Sequence, residues 1–354
     1  MSLADVLRMQ AQGCRELGSP LYDDLLTRVA DDVEAGGDFA GVFAGHEDDR
    51  SRSAVGLRLM GAVHRLVLER RAPELALHYP SVGGTPGPGV WDAFRAAALD
   101  NLEDVRALLE LPPQTNEVGR AAGLVGGLML VARQTGLPIR LLEIGSSGGL
   151  NLRADRFRYD LTSSRYLGPA DSPSRLERPW QGDESAWPTG GIPSIVERAG
   201  CDPDPVDAST TDGRLTLTSY VWADQVARLE RLRGALEVAA RMPVELDRAM
   251  AGEWLEERLA PRPGVATVVW HSVVWQYLDD QERARVNAIL ESAGSRATAD
   301  APIAHLSLEP GGRLYVDKYA FVITLQLWPH DPEPQVIATA AGHGPPVVWR
   351  NHAG

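Results

Sequence analysis

The sequence predicts an α/β protein in which a helical N-terminal region leads into a seven-stranded sheet: five parallel strand–helix units and a C-terminal antiparallel hairpin. Three observations carry this expectation. Residues up to about 135 repeat their apolar positions with helical spacing. From Ile139 onward, short β-branched runs such as "ATVVW" alternate with helical stretches, the pattern of parallel strands covered on both faces. The last two runs are joined only by "WPHDPEP", too short for a crossover, so they pair antiparallel.

The helical region reads in order. "SLADVLRMQAQGCREL" sets Leu3, Val6, Leu7, Gln10 and Cys14 along one face, with Ser2 as N-cap. "SAVGLRLMGAVHRLVLERR" is a second apolar helix, and "YPSVGGTPGPGV" breaks the pattern with glycine and proline. Helix resumes at Trp91 and stops at Pro112-Pro113. "QTNEVGRAAGLVGGLMLVARQTGLP" then offers Thr115 or Asn116 as a cap and ends at Gly136 and Pro138. The expected strands are "IRLLEIG", "SIVERAGCD", "PVELDRA", "VATVVWHS", "APIAHLSLEP", "YAFVITLQLWP" and "QVIATAA", with helices at "WADQVARLERLRGALEVAAR" and "DDQERARVNAILESAG". This divides the chain into residues 1–135 and 136–354, with an inserted Pro/Gly/Ser-rich loop near 162–191.

Composition narrows the function classes. With 44% apolar and 23% charged residues over 354 positions, the chain is an ordinary globular sequence able to bury a sizeable core. No apolar run approaches the roughly 20 residues that cross a bilayer, and "MSLADVLRMQAQGCREL" lacks the segments of a signal peptide, so a cytoplasmic protein without a membrane partner is expected. The net charge of −13 argues against general binding to nucleic-acid phosphates. Two cysteines, Cys14 and Cys201, build neither a disulfide framework nor a thiolate zinc site, and no metal is expected.

The chemistry-bearing stretch is "IRLLEIGSSGGLNLRADRFRY", where a strand ends in Glu143 and a glycine-rich turn opens a helix near Leu150. Such a turn admits close approach of backbone amides to a ligand, with the helix N-terminus adding donors and positive potential. An acid there suits a cationic amine or sugar hydroxyls better than a bare phosphate, and no Lys-Ser or Lys-Thr follows to make a P-loop. The letters "GSSGG" also satisfy the G-x-S-x-G elbow of serine hydrolases with Ser147 at its centre, Asp317 and His343 supplying the later triad members. Chain order weighs against that alternative. A hydrolase elbow follows several strands, whereas everything upstream here reads as helix and no HGGG-type segment precedes it.

Other polar strand ends then acquire roles. Asp202 closes the second expected strand, where a carboxylate can take ribose hydroxyls, and Asp247 closes the third, within reach of an adenine amine. His271 and Ser272 follow the fourth, and Glu309 ends the fifth. Ligands of open α/β sheets bind at the carboxyl ends of strands, so these side chains are expected to converge on one crevice.

With those residues in place, the strand order and final hairpin resemble the Rossmann-like sheet of class I S-adenosylmethionine-dependent methyltransferases. "EIGSSGG" stands where that superfamily carries its acid-and-glycine motif, matching at Glu143, Gly145 and Gly149, with Ser147 in place of a usual glycine. More narrowly, "QTNEVGR", "LLEIGSSGGLNLRADRFRY", "VWADQVARLERL", "VVWHSVVWQYL" and "AGHGPPVVW" are similar to a bacterial family with a domain of unknown function, over nearly the whole chain. The superfamily resemblance implies S-adenosyl-L-methionine as cofactor and a small-molecule methyl acceptor. It implies cofactor contacts from Glu143, Gly145, Ser146, Ser147, Gly149, Asn151, Asp202 and Asp247, and a base from His271. Asn116, Glu117 and Arg120, expected on the first turn of a helix, and His343 between glycines are candidate acceptor contacts. The helical region is expected to cover the acceptor. The rival to an enzyme is a non-catalytic scaffold that binds the cofactor or a related nucleoside.

Overall fold

The computed structural model describes residues 1–49, 53–311 and 321–350. The chain divides into two compact units, one formed by residues 1–115 with 210–230 and the other by 116–209 with 231–354.

The first unit is helical. Its helices are α1 (Leu3–Glu16), α2 (Pro20–Glu34), α3 (Asp38–Val42), α4 (Val55–Leu68), α5 (Pro73–Ala76), α6 (Val90–Asp100) and α7 (Leu102–Leu109). Ser2 caps α1 in a reciprocal box with Asp5, as its position predicts. Ser19 caps α2 ahead of Pro20, which fills a position whose N–H has no helical partner. Their apolar faces bury Leu7, Leu25, Val29, Phe39, Leu59 and Phe94 in one core. His64 is wholly enclosed, with Nδ1 on the Ser219 carbonyl at 3.1 Å and Nε2 on the Ser81 hydroxyl at 2.8 Å. Both ring nitrogens are satisfied, so His64 is a structural histidine.

The second unit is a mixed α/β structure around a large, mostly parallel sheet. Its first helix, α8 (Ala121–Thr135), ends where Gly136 adopts φ 69°. Strand β1 (Ile139–Ile144) is buried at every position. The following segment carries β2 (Arg158–Asp160), β3 (Tyr166–Leu167), β4 (Arg175–Glu177) and β5 (Trp180–Gln181), before β6 (Ile195–Asp202). Helices α9 (Thr211–Ser219), in the helical unit, and α10 (Val226–Arg241) precede β7 (Glu245–Arg248). Then come α11 (Ala251–Arg258), β8 (Ala266–Ser272), α12 (Asp280–Gly294) and β9 (Ile303–Pro310). Strands β10 (Phe321–Trp328), β11 (Asp331–Ala341) and β12 (Gly344–Trp349) follow.

The sheet has nine strands rather than the expected seven, in the order β5-β12-β11-β10-β9-β8-β1-β6-β7. The five strands from β7 to β9 are parallel, and β10, β11 and β12 continue antiparallel. The expected hairpin is β10–β11, and β12 extends it. The segment 162–191 is not simply a loop outside the sheet. Trp180-Gln181 pairs with β12 at one edge, and β3 and β4 flank β2 in a separate three-stranded sheet. The isolated Trp-Gln pair carries no periodicity from which a strand could have been read.

Two departures matter for the site. The residues after the glycine turn form a kinked 3-10 stretch, Asn151–Arg156, not the expected helix, so this segment presents no α-helix N-terminus to the turn. And α8 belongs with the sheet: its glycines 123, 126 and 127 let it settle against Ile323, Trp349 and Leu306. Helices α11 and α12 bury Trp254, Leu255, Val286 and Leu290 with Leu142, Ile144, Val269 and Ile303 on the opposite face.

Candidate functional site

Strand placement reverses at β1: the chain adds β6 and β7 on one side, then β8 and β9 on the other. That makes the carboxyl ends of β1 and β8 the switch point where open α/β sheets hold ligands. Backbone strain gathers there. Ser147, just past β1, has φ 50°, and Val273, just past β8, has φ 56°. Left-handed backbone is unfavourable for a β-branched residue in particular, and it persists where surrounding contacts fix it.

The polar strand ends do not converge on one crevice. Side chains alternate faces along a strand, and in-register residues on neighbouring strands share a face. Glu143 is in register with Trp270, so His271 faces the other way. Asp202 follows Cys201, which is buried among α11 and α12, and therefore shares the α8 face with Glu143. Asp247 is in register with Cys201 and lies on the α11/α12 face with His271 and Glu309. The expectation of five side chains in one site is corrected to two groups on two faces.

On the α8 face, Glu143 is 2% exposed and its Oε2 has no hydrogen-bond partner. Burial pushes its carboxyl up to about 8, with Asp202 adding to the rise and the Arg153 guanidinium, the nearby Trp270 indole N–H and the Arg120 guanidinium opposing it. Arg153 is buried, donating to the carbonyls of Met242 at 2.7 Å and Gly149 at 2.8 Å. Its burial lowers its pKa to about 10. Asn151 is 1% exposed; its Nδ2 donates to the Glu117 carbonyl at 3.3 Å while its Oδ1 has no partner.

The turn itself is largely satisfied by protein. Ser146 N donates to the Cys201 carbonyl, Ser147 N to Asp202 Oδ2 at 2.9 Å, Gly149 N to the Ser146 carbonyl and Leu150 N to Asn116 Oδ1 at 2.8 Å. Asp202 also accepts from Asp204 N at 2.9 Å, so its first task is to hold the turn. Gly145, at φ 66°, is covered by the Val274 side chain, and a Cβ on Gly149 would stand 2.8 Å from Leu246. Close packing against these side chains accounts for both glycines.

The "QTNEVGR" segment starts as a 3-10 turn, Val118–Arg120, capped by the Glu117 carboxylate on Gly119 N at 2.9 Å, and not as the first turn of a helix. Arg120 is buried and donates to the carbonyls of Ser272 at 3.1 Å and Gly342 at 3.2 Å. The β11–β12 turn that carries His343 packs directly on Gly119. Asn116, Glu117, Arg120 and the His343 turn are thus brought to the neighbourhood of the Glu143 group.

On the other face, Asp247 accepts from Trp254 Nε1 at 2.6 Å and from Arg258 at 2.8 Å, which ties β7 to α11. His271 is 2% exposed, stacked on Trp275 with centroids 4.9 Å apart, and both ring nitrogens are engaged. Nδ1 meets Glu309 Oε1 at 2.8 Å, and Nε2 meets Nε2 of His305 at 2.9 Å. Glu309 Oε1 further accepts from the backbone of Val274 and Trp275. His305 was not anticipated: it sits inside β9, where "APIAHLSLEP" reads as an ordinary strand. Its one signal was the i, i+4 spacing to Glu309, which puts both on one face. Burial depresses its pKa to about 3, helped by the neighbouring His271.

Residues 4–349 match the bacterial family described as "Uncharacterized protein conserved in bacteria (DUF2332)". The chain belongs to this family. No curated protein and no solved structure matches the DUF2332 chain. Among its described residues no helix is long and apolar enough to cross a membrane, and both cysteines are free and buried. Of the hydrolase alternative, Asp317 lies outside the described residues; β1 is the first strand of the described chain, as the chain-order argument required.

Proposed function

We propose that this DUF2332 protein binds S-adenosyl-L-methionine at the carboxyl end of β1 and transfers its methyl group to a small-molecule acceptor. The observation that carries the reading is the pair of buried, unpartnered acceptors, Glu143 Oε2 and Asn151 Oδ1, flanking one strand-end turn at the switch point. A buried acceptor without a donor costs about 1–3 kcal/mol, and a ligand ammonium supplies the donors both atoms lack. Arg120 and Arg153 provide a positive field for the carboxylate of the same amino-acid end. Asp202 keeps lone pairs beyond its two amide contacts for a ribose hydroxyl. The cofactor supplies a methyl on a sulfonium, transferred by in-line displacement; the chain's part is to anchor, align and exclude water. Asp247 and His271 drop out of this site, because they face α11 and α12 with their polar atoms engaged.

The test is calorimetric titration with S-adenosylhomocysteine. Micromolar binding is expected for the wild type, with a loss of at least 100-fold in Glu143→Ala and 10-fold in Asn151→Ala. Affinity in Glu143→Ala equal to wild type refutes the placement, and no binding by folded wild type refutes the cofactor.

A second reading, a binding scaffold without turnover, is favoured by the turn: Val274 and Leu246 cover its glycines, and its amides are spent on protein acceptors. Binding without methyl transfer across an acceptor panel would select it.

A further inference from the structure

Glu309, His271 and His305 stand in one line of hydrogen bonds on the α11/α12 face. The two Nε2 atoms are 2.9 Å apart and the ring centroids 5.1 Å apart, so both nitrogens lie nearly on the line between the rings. That is the geometry of a direct N–H···N bond, in which one nitrogen carries the hydrogen and the other accepts. The far end of the line decides which. Glu309 Oε1 accepts the backbone N–H groups of Val274 and Trp275, so it accepts from His271 as well, and His271 Nδ1 holds a proton. A neutral imidazole has one N–H and one lone pair. His271 Nε2 is then the acceptor and His305 Nε2–H the donor, which leaves the last lone pair of the line on His305 Nδ1. His271 is 2% exposed whereas His305 is partly exposed, so the line opens at its His305 end.

We infer that Glu309, His271 and His305 form a proton relay whose outer nitrogen, His305 Nδ1, is a base toward a hydroxyl of a small uncharged molecule. The ligand O–H bond breaks, its proton joins Nδ1, and the Nε2–H of His305 passes to His271 Nε2. The ligand oxygen keeps the bonding pair. The positive charge comes to rest on His271, whose ring meets the Glu309 carboxylate at 2.8 Å. Glu309 is placed to hold it, because its second oxygen is buried without a hydrogen-bond partner and its charge is not spent there. Burial and the neighbouring His271 hold the His305 pKa down to about 3, so the charge does not stay on the outer ring. Trp275, stacked on His271, fixes the plane of the inner ring. His305 is the group that meets the ligand; His271 and Glu309 position it and take up the charge.

The neighbouring side chains set the ligand class. Register places Ser307 beside His271, Thr324 beside Ser307 and Gln326 beside His305, all on one face. The Ser307 and Thr324 hydroxyls share a 2.7 Å hydrogen bond, and Thr324 and Gln326 are partly exposed. These hydroxyl and carboxamide groups carry no charge, which suits a neutral hydroxylated molecule rather than an anion. The site lies on the face opposite Glu143 and does not rest on the methyltransferase reading.

The experiment treats the full-length protein with diethyl pyrocarbonate, a small electrophile that gives an ethoxycarbonyl group to a bare imidazole nitrogen. Attack by His305 Nδ1 forms the N–C bond and expels ethyl carbonate, which breaks down to carbon dioxide and ethanol, while the Nε2–H passes to His271 and then to solvent. Mass spectrometry reads the rate at each histidine, with the exposed His330 as internal standard. His305 is expected to react about tenfold faster than His330 despite its lower exposure. Glu309→Gln, which keeps an acceptor for the two backbone N–H groups and removes the charge, should bring His305 to the rate of His330 or below. In the wild type, ¹⁵N shifts assigned with His305→Ala should show a hydrogen on His271 Nδ1 and none on His305 Nδ1. A wild-type His305 no faster than His330 overturns the base. So does a rate ratio unchanged in Glu309→Gln, or a hydrogen on His305 Nδ1 at neutral pH.

Discussion

Replacing Glu143 by Gln should flatten the pH dependence of stability of the sheet unit. The carboxyl is held protonated up to about 8 in the folded protein, against an ordinary value of 4.5. Below pH 4.5 both folded and unfolded chains carry the proton and nothing is lost. Above it the unfolded chain ionises first, so stability falls by ~1.4 kcal/mol per pH unit until the folded carboxyl also ionises near pH 8. The loss reaches about 3 kcal/mol at pH 7 and about 5 kcal/mol at its plateau, as orders of magnitude. Because the chain has two compact units, the assay should report on one of them: amide hydrogen exchange of β1, residues 139–144, between pH 5 and 9, corrected for intrinsic exchange rates. Glu143→Gln carries no ionisable proton, so its opening free energy should stay flat where the wild type's declines. Whatever fixed cost the buried amide adds shifts the whole curve and leaves its slope untouched. Parallel slopes in the two proteins would refute the reasoning. The same ionisation couples to the proposed ligand. An ammonium beside Glu143 favours the carboxylate, so binding of S-adenosylhomocysteine at pH 7 should release up to one proton, visible as a buffer-dependent enthalpy that Glu143→Gln lacks.

Gly145→Ala should cost roughly 2–4 kcal/mol, because the new Cβ meets Val274 and φ 66° is strained for alanine; Val274→Ala in the same chain should restore the packing part and leave the backbone part, read from denaturant midpoints. In the helical unit, burial lowers the His64 pKa to about 4, so the folded ring stays neutral while the unfolded one takes a proton below 6.5. Stability there is intact above pH 6.5 and declines by about 3 kcal/mol on the way to pH 4, and His64→Gln should remove that decline in exchange protection of α4.

The layout was legible where local signals are strong. Ser2 and Gly136 mark helix ends by capping chemistry, and the uninterrupted apolar run of β8 announces a buried parallel strand. Elements fixed by partners distant in sequence were not legible. Trp180-Gln181 becomes a strand only because β12 offers an edge. The residues after Gly149 form a 3-10 stretch because Arg153 and Asn151 turn inward to carbonyls of Met242 and Glu117. The glycines at 145 and 149 read equally well as ligand clearance or close packing; only Val274 and Leu246, more than 90 residues away, identify packing. His305 went unnoticed because its one signal, the i, i+4 spacing to Glu309, does not tell which neighbouring strand or side chain it meets.

The division of the strand ends between two faces makes the Glu143 group independent of the His271 group. Strand ends gather polar groups at one edge of a sheet, but a one-residue offset moves a side chain from one face to the other. Glu143 and His271 sit on neighbouring strands with that offset, and their hydrogen-bond partners do not overlap: Glu143 is set among Arg153, Asp202 and Arg120, His271 among Glu309, His305 and Trp275. Mutations without shared partners add. His305→Ala should therefore leave S-adenosylhomocysteine affinity within about threefold of wild type. The one physical route between the groups is the turn after β8. Val274 covers Gly145 on one side and donates its N–H to Glu309 on the other. If His305→Ala shifts that affinity by tenfold or more, that turn carries the coupling. Val274→Ala, which keeps the N–H to Glu309 and removes the contact with Gly145, should then abolish it; coupling that survives Val274→Ala would mean that one ligand occupies both faces and that the separation argued from register is wrong.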